Sequence, residues 1–456
     1  MRLNDNITLY IFCLASFAQL CFGFYFFEML GSYYHFFLPW VLTFTALIFL
    51  QRWQEIYFPT FVIFSYISLS MFLGCLVLEQ GWVQYSRFST WEPVWKHKNE
   101  AGVFFNLSLT IWGFCQLVCY FPFPVKQSYR ITSNQTDFIF NLLLLILSLF
   151  GFFFIRETNP IYSWIFFIPV SALVIAFISR LNPIWVIIIS LAWVIMFSTI
   201  FETNKREVIF IFFPIVFIKF YNSNMNFKKT VFPACFFLAL AVIAILIMSI
   251  FRGYGEFDVE KEFNSDLFFA LISYVKMSDF LGEFARNIEV IYFFTNSFNA
   301  VQLIMMEEID IALGRTFIKA LFSPLQFEIF TPFKPDSILT EYTKAADYTY
   351  RQSGGSLPIN IISELFWNFG WLGYFFVPAL FLFFRLIELK LWVSFYLESD
   401  FIKTAFWGYL TVLCFTLARG SGLDQFTAYS ILLIGFIFIL NMIANCLTSF
   451  LRLIEK

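Results

Sequence analysis

Apolar runs long enough to cross a bilayer recur from one end of this chain to the other, and that single feature leaves few ways for it to fold. A helix needs about 20 apolar residues to span the hydrocarbon core. Applied along the chain, that ruler gives twelve candidate spans: 7–28, 35–50, 59–79, 101–122, 138–155, 161–179, 184–201, 207–220, 230–251, 363–384, 401–418 and 426–448. The eighth is short and contains Pro214, so it is expected to be tilted or partial. Backbone amides inside lipid must be satisfied within the segment, which makes each run a helix. Composition agrees. Only 13% of residues are charged, against about 25% in soluble domains, and 70 phenylalanines exceed what one water-facing core can hold. The expected fold is an all-α polytopic membrane protein of twelve transmembrane helices.

Lysine and arginine predict the orientation. With the N-terminus inside, 13 basic residues fall in inner segments, among them Arg52, Lys228, Lys229, Arg385 and Lys390, and seven fall in short outer loops. Both termini are then cytoplasmic. The apolar run after MRLNDN lacks a small-x-small cleavage pattern and is read as the first span. One long segment, 252–357, lies outside. It carries 9 basic and 15 acidic residues, mixes helix-like stretches such as 279–309 with Pro and Gly turns, and is expected to form a partly helical cap. The organisation is therefore helices one to nine over 1–251, an external cap over 252–362, and helices ten to twelve over 363–456.

Several chemistries lack their residues. A net charge of −2 without a basic run gives nucleic acid no purchase. The eight cysteines all lie in apolar stretches and imply no disulfide framework; Cys115 and Cys119 read as small apolar residues one turn apart. Two distant histidines, His35 and His97, cannot build a His-rich metal site. No P-loop, dinucleotide fingerprint or HExxH pattern is present, and no metal or other cofactor is expected.

Charged residues near span ends stand out instead. Arg206 lies in FETNKREVIF, Arg252 in IFRGYG, Lys334 in FTPFKP and Arg419 in LARGSGLD, all on the outer side. A guanidinium fork grips phosphate bidentately and an ammonium supplies a compact charge, so such a cluster suits a lipid diphosphate. The alternative is local pairing, Arg419 with Asp424 or Arg206 with Glu202. In GGSLPINIISELFWNFGWLG, a turn feeds span ten and puts Glu364 in its first turns. A glutamate there is favoured by the helix dipole; it is also a carboxylate able to deprotonate a hydroxyl within reach. Asp424, at the start of span twelve, is the competing candidate. Trp82, Trp91, Trp95, Tyr348, Tyr350 and Trp367 suit either sugar stacking or an interfacial aromatic belt. The acidic group around Asp258 in EFDVE reads as a solvated loop.

Taken in order, TNKREVI, FRGYG, the Pro324–Pro335 segment ending in FKP, GGSLPINIISELFWNFGWLG and ARGSGLDQF resemble the Wzy-type O-antigen polymerases, over roughly Glu202 to Gly435. The resemblance implies a glycosyltransferase in the bacterial inner (plasma) membrane that joins oligosaccharide repeat units carried on undecaprenyl diphosphate, as donor and acceptor, on the outer face. A chain-length regulator and a flippase are the implied protein partners. It further implies that Arg206, Arg252 and Arg419 are functional arginines, that Lys334 and the cap arginines Arg286, Arg315 and Arg351 bind substrate, and that Glu364 and Asp424 are acid–base candidates. An O-antigen ligase is the nearest alternative, though it would be expected to carry a histidine in the large external loop, and 252–357 has none. A lipid-linked oligosaccharide flippase is the non-enzyme alternative; it would have short loops and charges buried along the bundle interior, whereas the surplus charge here is in an external cap. A channel or ion-coupled transporter fits less well, since acids at mid-span are nearly absent.

Overall fold

The computed structural model describes chiefly residues 10–19, 31–80, 97–119, 290–322, 336–394 and 401–454. Spans six to nine and most of span five lie outside these residues, as do Arg206, Arg252, Arg286, Lys334, the Asp258 group, Trp82, Trp91 and Trp95. The described residues form helices and no strand. Four helical segments among them are long and apolar enough to cross a membrane: Pro59–Glu79, Lys98–Val118, Ile361–Trp392 and Leu423–Ile454. This is a helical membrane protein.

In chain order the helices are α1 (Tyr10–Gln19), α2 (Tyr34–Phe49), α3 (Pro59–Glu79), α4 (Lys98–Val118), α5 (Val290–Met305), α6 (Arg315–Phe322), α7 (Ile338–Ala346), α8 (Tyr348–Gln352), α9 (Ile361–Phe369), α10 (Val377–Trp392), α11 (Phe401–Arg419) and α12 (Leu423–Ile454). Helices α2, α3 and α11 coincide closely with expected spans. The tenth runs past the expected end at 384 to Trp392, and a 3-10 turn at Gly370–Phe376 breaks it into α9 and α10.

Helices in lipid gain nothing by hiding apolar surface from one another, so they associate through close fit. Helix α2 meets α4 across glycines. A Cβ at Gly102 would lie 2.7 Å from His35 Cδ2, and one at Gly113 would overlap Thr43 Oγ1. Behind this contact, Phe36, Phe105, Phe294 and Phe298 interlock, with Phe36 5.7 Å from Phe105 and Phe294 5.0 Å from Phe298 between ring centroids.

The partners along each helix give its direction. Helix α2 runs antiparallel to α3, with Tyr33 against Phe72 and Phe44 against Phe61. Helix α4 runs alongside α9–α10, with Phe104 against Phe366 and Trp112 against Phe381. The end of α3 and the starts of α4, α9 and α12 therefore share one end of the bundle with the described residues of 306–322 and 336–360. Residues 50–58 and the ends of α4 and α10 share the other.

The expected cap is corrected in one respect. Helix α5 does not lie over the bundle but inside it, packed on α3, α4 and α9 and buried from Phe293 to Ile304. Averaging charge over 252–357 concealed a stretch with no charged residue between Glu289 and Glu307.

Candidate functional site

At the end shared with residues 306–322 and 336–360, the start of α9 is fastened to α5. Asn360 caps α9 by accepting from the Ser363 amide at 2.8 Å. Its own amide donates to Ser297 Oγ at 3.1 Å, and Ser363 Oγ donates to the Ser297 carbonyl at 2.8 Å. One turn into this anchored helix stands Glu364, fully buried. Thr316 Oγ1 of α6 donates to Glu364 Oε1 at 2.7 Å. Asn368 Nδ2, one turn further along α9, donates to Thr316 Oγ1 and to the Glu364 carbonyl, both at 2.7 Å. The Thr316 amide returns a bond to Asn368 Oδ1 at 3.2 Å. Glu364 Oε2 has no hydrogen-bond partner.

Asp424 reaches the same place from the first turn of α12. Its Oδ2 accepts from the Ile338 amide at 3.1 Å, at the start of α7, and its Oδ1 is buried without a hydrogen-bond partner. It lies within electrostatic reach of Glu364, and the Leu423 amide faces the Glu364 carboxylate. Glycines shape the turn that brings it there. Gly420 has φ +106°, and a Cβ on it would lie 2.7 Å from the Ile359 carbonyl oxygen; Gly422 has φ +81°, and a Cβ there would lie 2.7 Å from Asp424 Oδ1. ARGSGLD thus supplies two close backbone approaches that only glycine allows.

Among the expected cations, Arg419 ends α11 immediately before this turn. The sequence alternative paired it with Asp424, whose Oδ2 instead takes the Ile338 amide. Arg315 forms an ion pair with Glu341 on α7, and Lys319 joins the same carboxylate. Burial, reinforced by the neighbouring Arg315 charge, holds the Lys319 ammonium below its usual range. These two cations fasten α6 to α7. Arg351 Nη1 donates to the Gly355 carbonyl at 3.2 Å, within its own turn. Trp367 is corrected: it is buried, donates from Nε1 to the Asp310 carbonyl at 3.1 Å and stands edge-on to Tyr342, so it presents no face to a sugar. Tyr348 is exposed. His97, in a loop remote in sequence, stands at this same end, its backbone amide donating to Gln302 Oε1 of α5 at 3.3 Å.

The opposite end holds a cluster that sequence reasoning missed. Arg385, expected in a cytoplasmic loop, is only 1% exposed within α10. Its Nη1 donates to Glu388 Oε1 at 2.6 Å, and its Nη2 lies 3.8 Å from Glu55 Oε2. Thr60 Oγ1 donates to Glu388 Oε2 at 2.8 Å, and Gln116 Nε2 to Glu55 Oε2 at 2.7 Å. Burial pushes the Glu55 carboxyl up to about 7, against the opposing pull of Arg385. These acids are buried at one end of the bundle, between α2 and α3 and near the end of α10, and not at mid-span. Glu388 is held by Arg385, three residues earlier on α10, and by Thr60 of α3, and the second contact cannot be read along the sequence.

Among the described residues no three His, Cys, Asp or Glu side chains converge as a metal site would require. No family model matches the chain, and no curated protein and no solved structure matches it.

Proposed function

We propose that the protein is a lipid-dependent glycosyltransferase of the bacterial plasma membrane that polymerises oligosaccharide repeat units carried on a polyprenyl diphosphate. One observation carries the reading. Two buried carboxylates from separate helices, Glu364 and Asp424, each keep an oxygen without a hydrogen-bond partner at the end of the bundle where Arg419, Arg351 and Arg315 also stand. In this reading the bundle has twelve spans, that end faces the periplasm, and both termini are cytoplasmic.

The chemistry follows from the charges. The hydroxyl of an incoming repeat unit lies against the carboxylate pair, which removes its proton as the oxygen attacks the anomeric carbon. The donor leaves as a lipid diphosphate, and Arg206, Arg252 and Arg419, with Lys334, neutralise the charge it develops. Preorganised cations in a partly dry site stabilise such charge far better than water does. The polyprenyl tails run along lipid-facing surface such as that of α12, where Ile434, Phe438 and Met442 are exposed.

The buried Arg385–Glu388–Glu55 cluster favours a second reading, a carrier for lipid-linked oligosaccharides, since carriers place charge inside the bundle. His97 at the site end also keeps the ligase in play. A deletion strain separates the three: loss of a polymerase leaves single repeat units on the surface, loss of a carrier leaves none, and loss of a ligase leaves polymer unattached. Within the polymerase reading, well-inserted Glu364→Gln should lose polymer by about 100-fold or more, the usual effect of removing a general base. Arg419→Lys should fail like Arg419→Ala where the fork matters. Normal-length polymer from both Glu364→Gln and Asp424→Asn proteins would overturn the assignment.

A further inference from the structure

We propose that Thr316 and Asn368 are positioning residues that dedicate one oxygen of Glu364 to proton transfer, an inference that rests on the glycosyltransferase reading above. The direction of every bond in the cluster is determined. A carboxamide nitrogen only donates and a hydroxyl has a single proton to give. Asn368 cannot be flipped, because its Oδ1 accepts from the Thr316 amide at 3.2 Å while its Nδ2 donates both to Thr316 Oγ1 and to the Glu364 carbonyl. With its lone pair occupied by that nitrogen, the Thr316 hydroxyl turns its proton to Glu364 Oε1, at 2.7 Å. Oε1 is thereby committed as an acceptor; the Leu423 amide faces the carboxylate from α12, and Oε2, which no side chain bonds, is the oxygen left to take a proton.

In the reaction, the acceptor hydroxyl gives its proton to Glu364 Oε2 while its oxygen bonds to the anomeric carbon. The bond from that carbon to the diphosphate oxygen breaks, and the electron pair leaves with the diphosphate. Thr316 and Asn368 touch no substrate. They hold the carboxylate plane so that Oε2 faces the hydroxyl. Holding α6 on α9 does not itself need this polar cluster. The Ala312 amide already bonds the Trp367 carbonyl at 2.8 Å, and the Phe317 ring lies 5.6 Å from that of Phe369.

The test uses the full-length protein in lipid nanodiscs with undecaprenyl-diphosphate-linked repeat units. Thr316→Val keeps the shape and removes the hydroxyl; its kcat should fall about 10- to 100-fold with KM within about twofold of the wild type. Thr316→Ser should keep at least about a third of kcat. Asn368→Ala should lose kcat alone, and adding it to Thr316→Val should change little, because residues acting through one bond are not additive. Wild-type kcat in Thr316→Val alongside an inactive Glu364→Gln would overturn the positioning role and leave the base in place. An active Glu364→Gln would sink the underlying reading instead. If Thr316→Val does not insert, Asn368→Ala carries the same kcat-only expectation, and wild-type kcat there overturns the proposal.

Discussion

Arg385 shows how much one side chain can demand of its surroundings. It is enclosed with two carboxylates, Glu388 and Glu55, and its guanidinium lies over the Phe58 ring at 5.2 Å. Removing one partner from such a cluster leaves charge buried without compensation, which costs about 3–5 kcal/mol. Arg385→Met should therefore abolish recovery of folded protein. Arg385→Met combined with Glu388→Leu and Glu55→Gln should recover much of the loss, as measured by size-exclusion yield and thermal unfolding in detergent. Glu55 adds a pH dependence. Its carboxyl is raised to about 7 by burial, so between the ordinary carboxylate range and that value the folded protein holds more protons than the unfolded chain. Stability from this group is greatest at the acid end and falls as pH rises through about 7. Unfolding temperatures measured from about pH 5 to 8 should drop more steeply for the wild type than for Glu55→Gln; parallel slopes would reject the assignment. Glu364 and Asp424 were legible as candidates because a carboxylate in the first turn of a long apolar helix is conspicuous. Thr316 and Asn368 were not, since an isolated threonine and asparagine look alike in any helix until their partners are known.

Two elements do more than their length suggests. The turn between α11 and α12 presses Gly420 against the Ile359 backbone and Gly422 against Asp424 and Ile338. It therefore sets both the start of α9 and the position of the Asp424 carboxylate. Gly420→Ala combines a disfavoured φ with a backbone clash and should destabilise by about 1–3 kcal/mol. Gly435→Ala, where an added Cβ meets nothing within 4 Å, should be neutral. Equal unfolding temperatures for the two variants would contradict this account. The second element is the break in the tenth span. Gly370 adopts φ +55° and ψ −138°, a conformation nearly confined to glycine, and the 3-10 turn after it separates the anchored α9 from α10. Interrupted spans in membrane proteins belong where the backbone is sheltered by protein or lines a polar cavity. Here the interruption isolates the half-helix that carries Glu364. Gly-Trp-Leu-Gly hints at such a break, but a hydropathy window reads straight through it.

At the scale of the molecule, the helix directions sort the loops into two ends. Gln51 and Asp310 are both exposed and lie at opposite ends. In a chain whose own cysteines are replaced, Gln51→Cys should react with an impermeant thiol reagent only from the cytoplasm, and Asp310→Cys only from outside. Labelling of both from one side would break the topology. Membrane character, helical class, most of the described span boundaries and the rare carboxylates were readable from sequence alone, because the bilayer imposes a demand of fixed length that each segment meets with its own residues. The burial of α5, the enclosure of Arg385 with Glu55 and Glu388, and the meeting of Thr316, Glu364 and Asp424 were decided only by the tertiary structure. Each depends on side chains from helices far apart in sequence, and the energy of a buried charge or hydrogen bond is set by its neighbours in space.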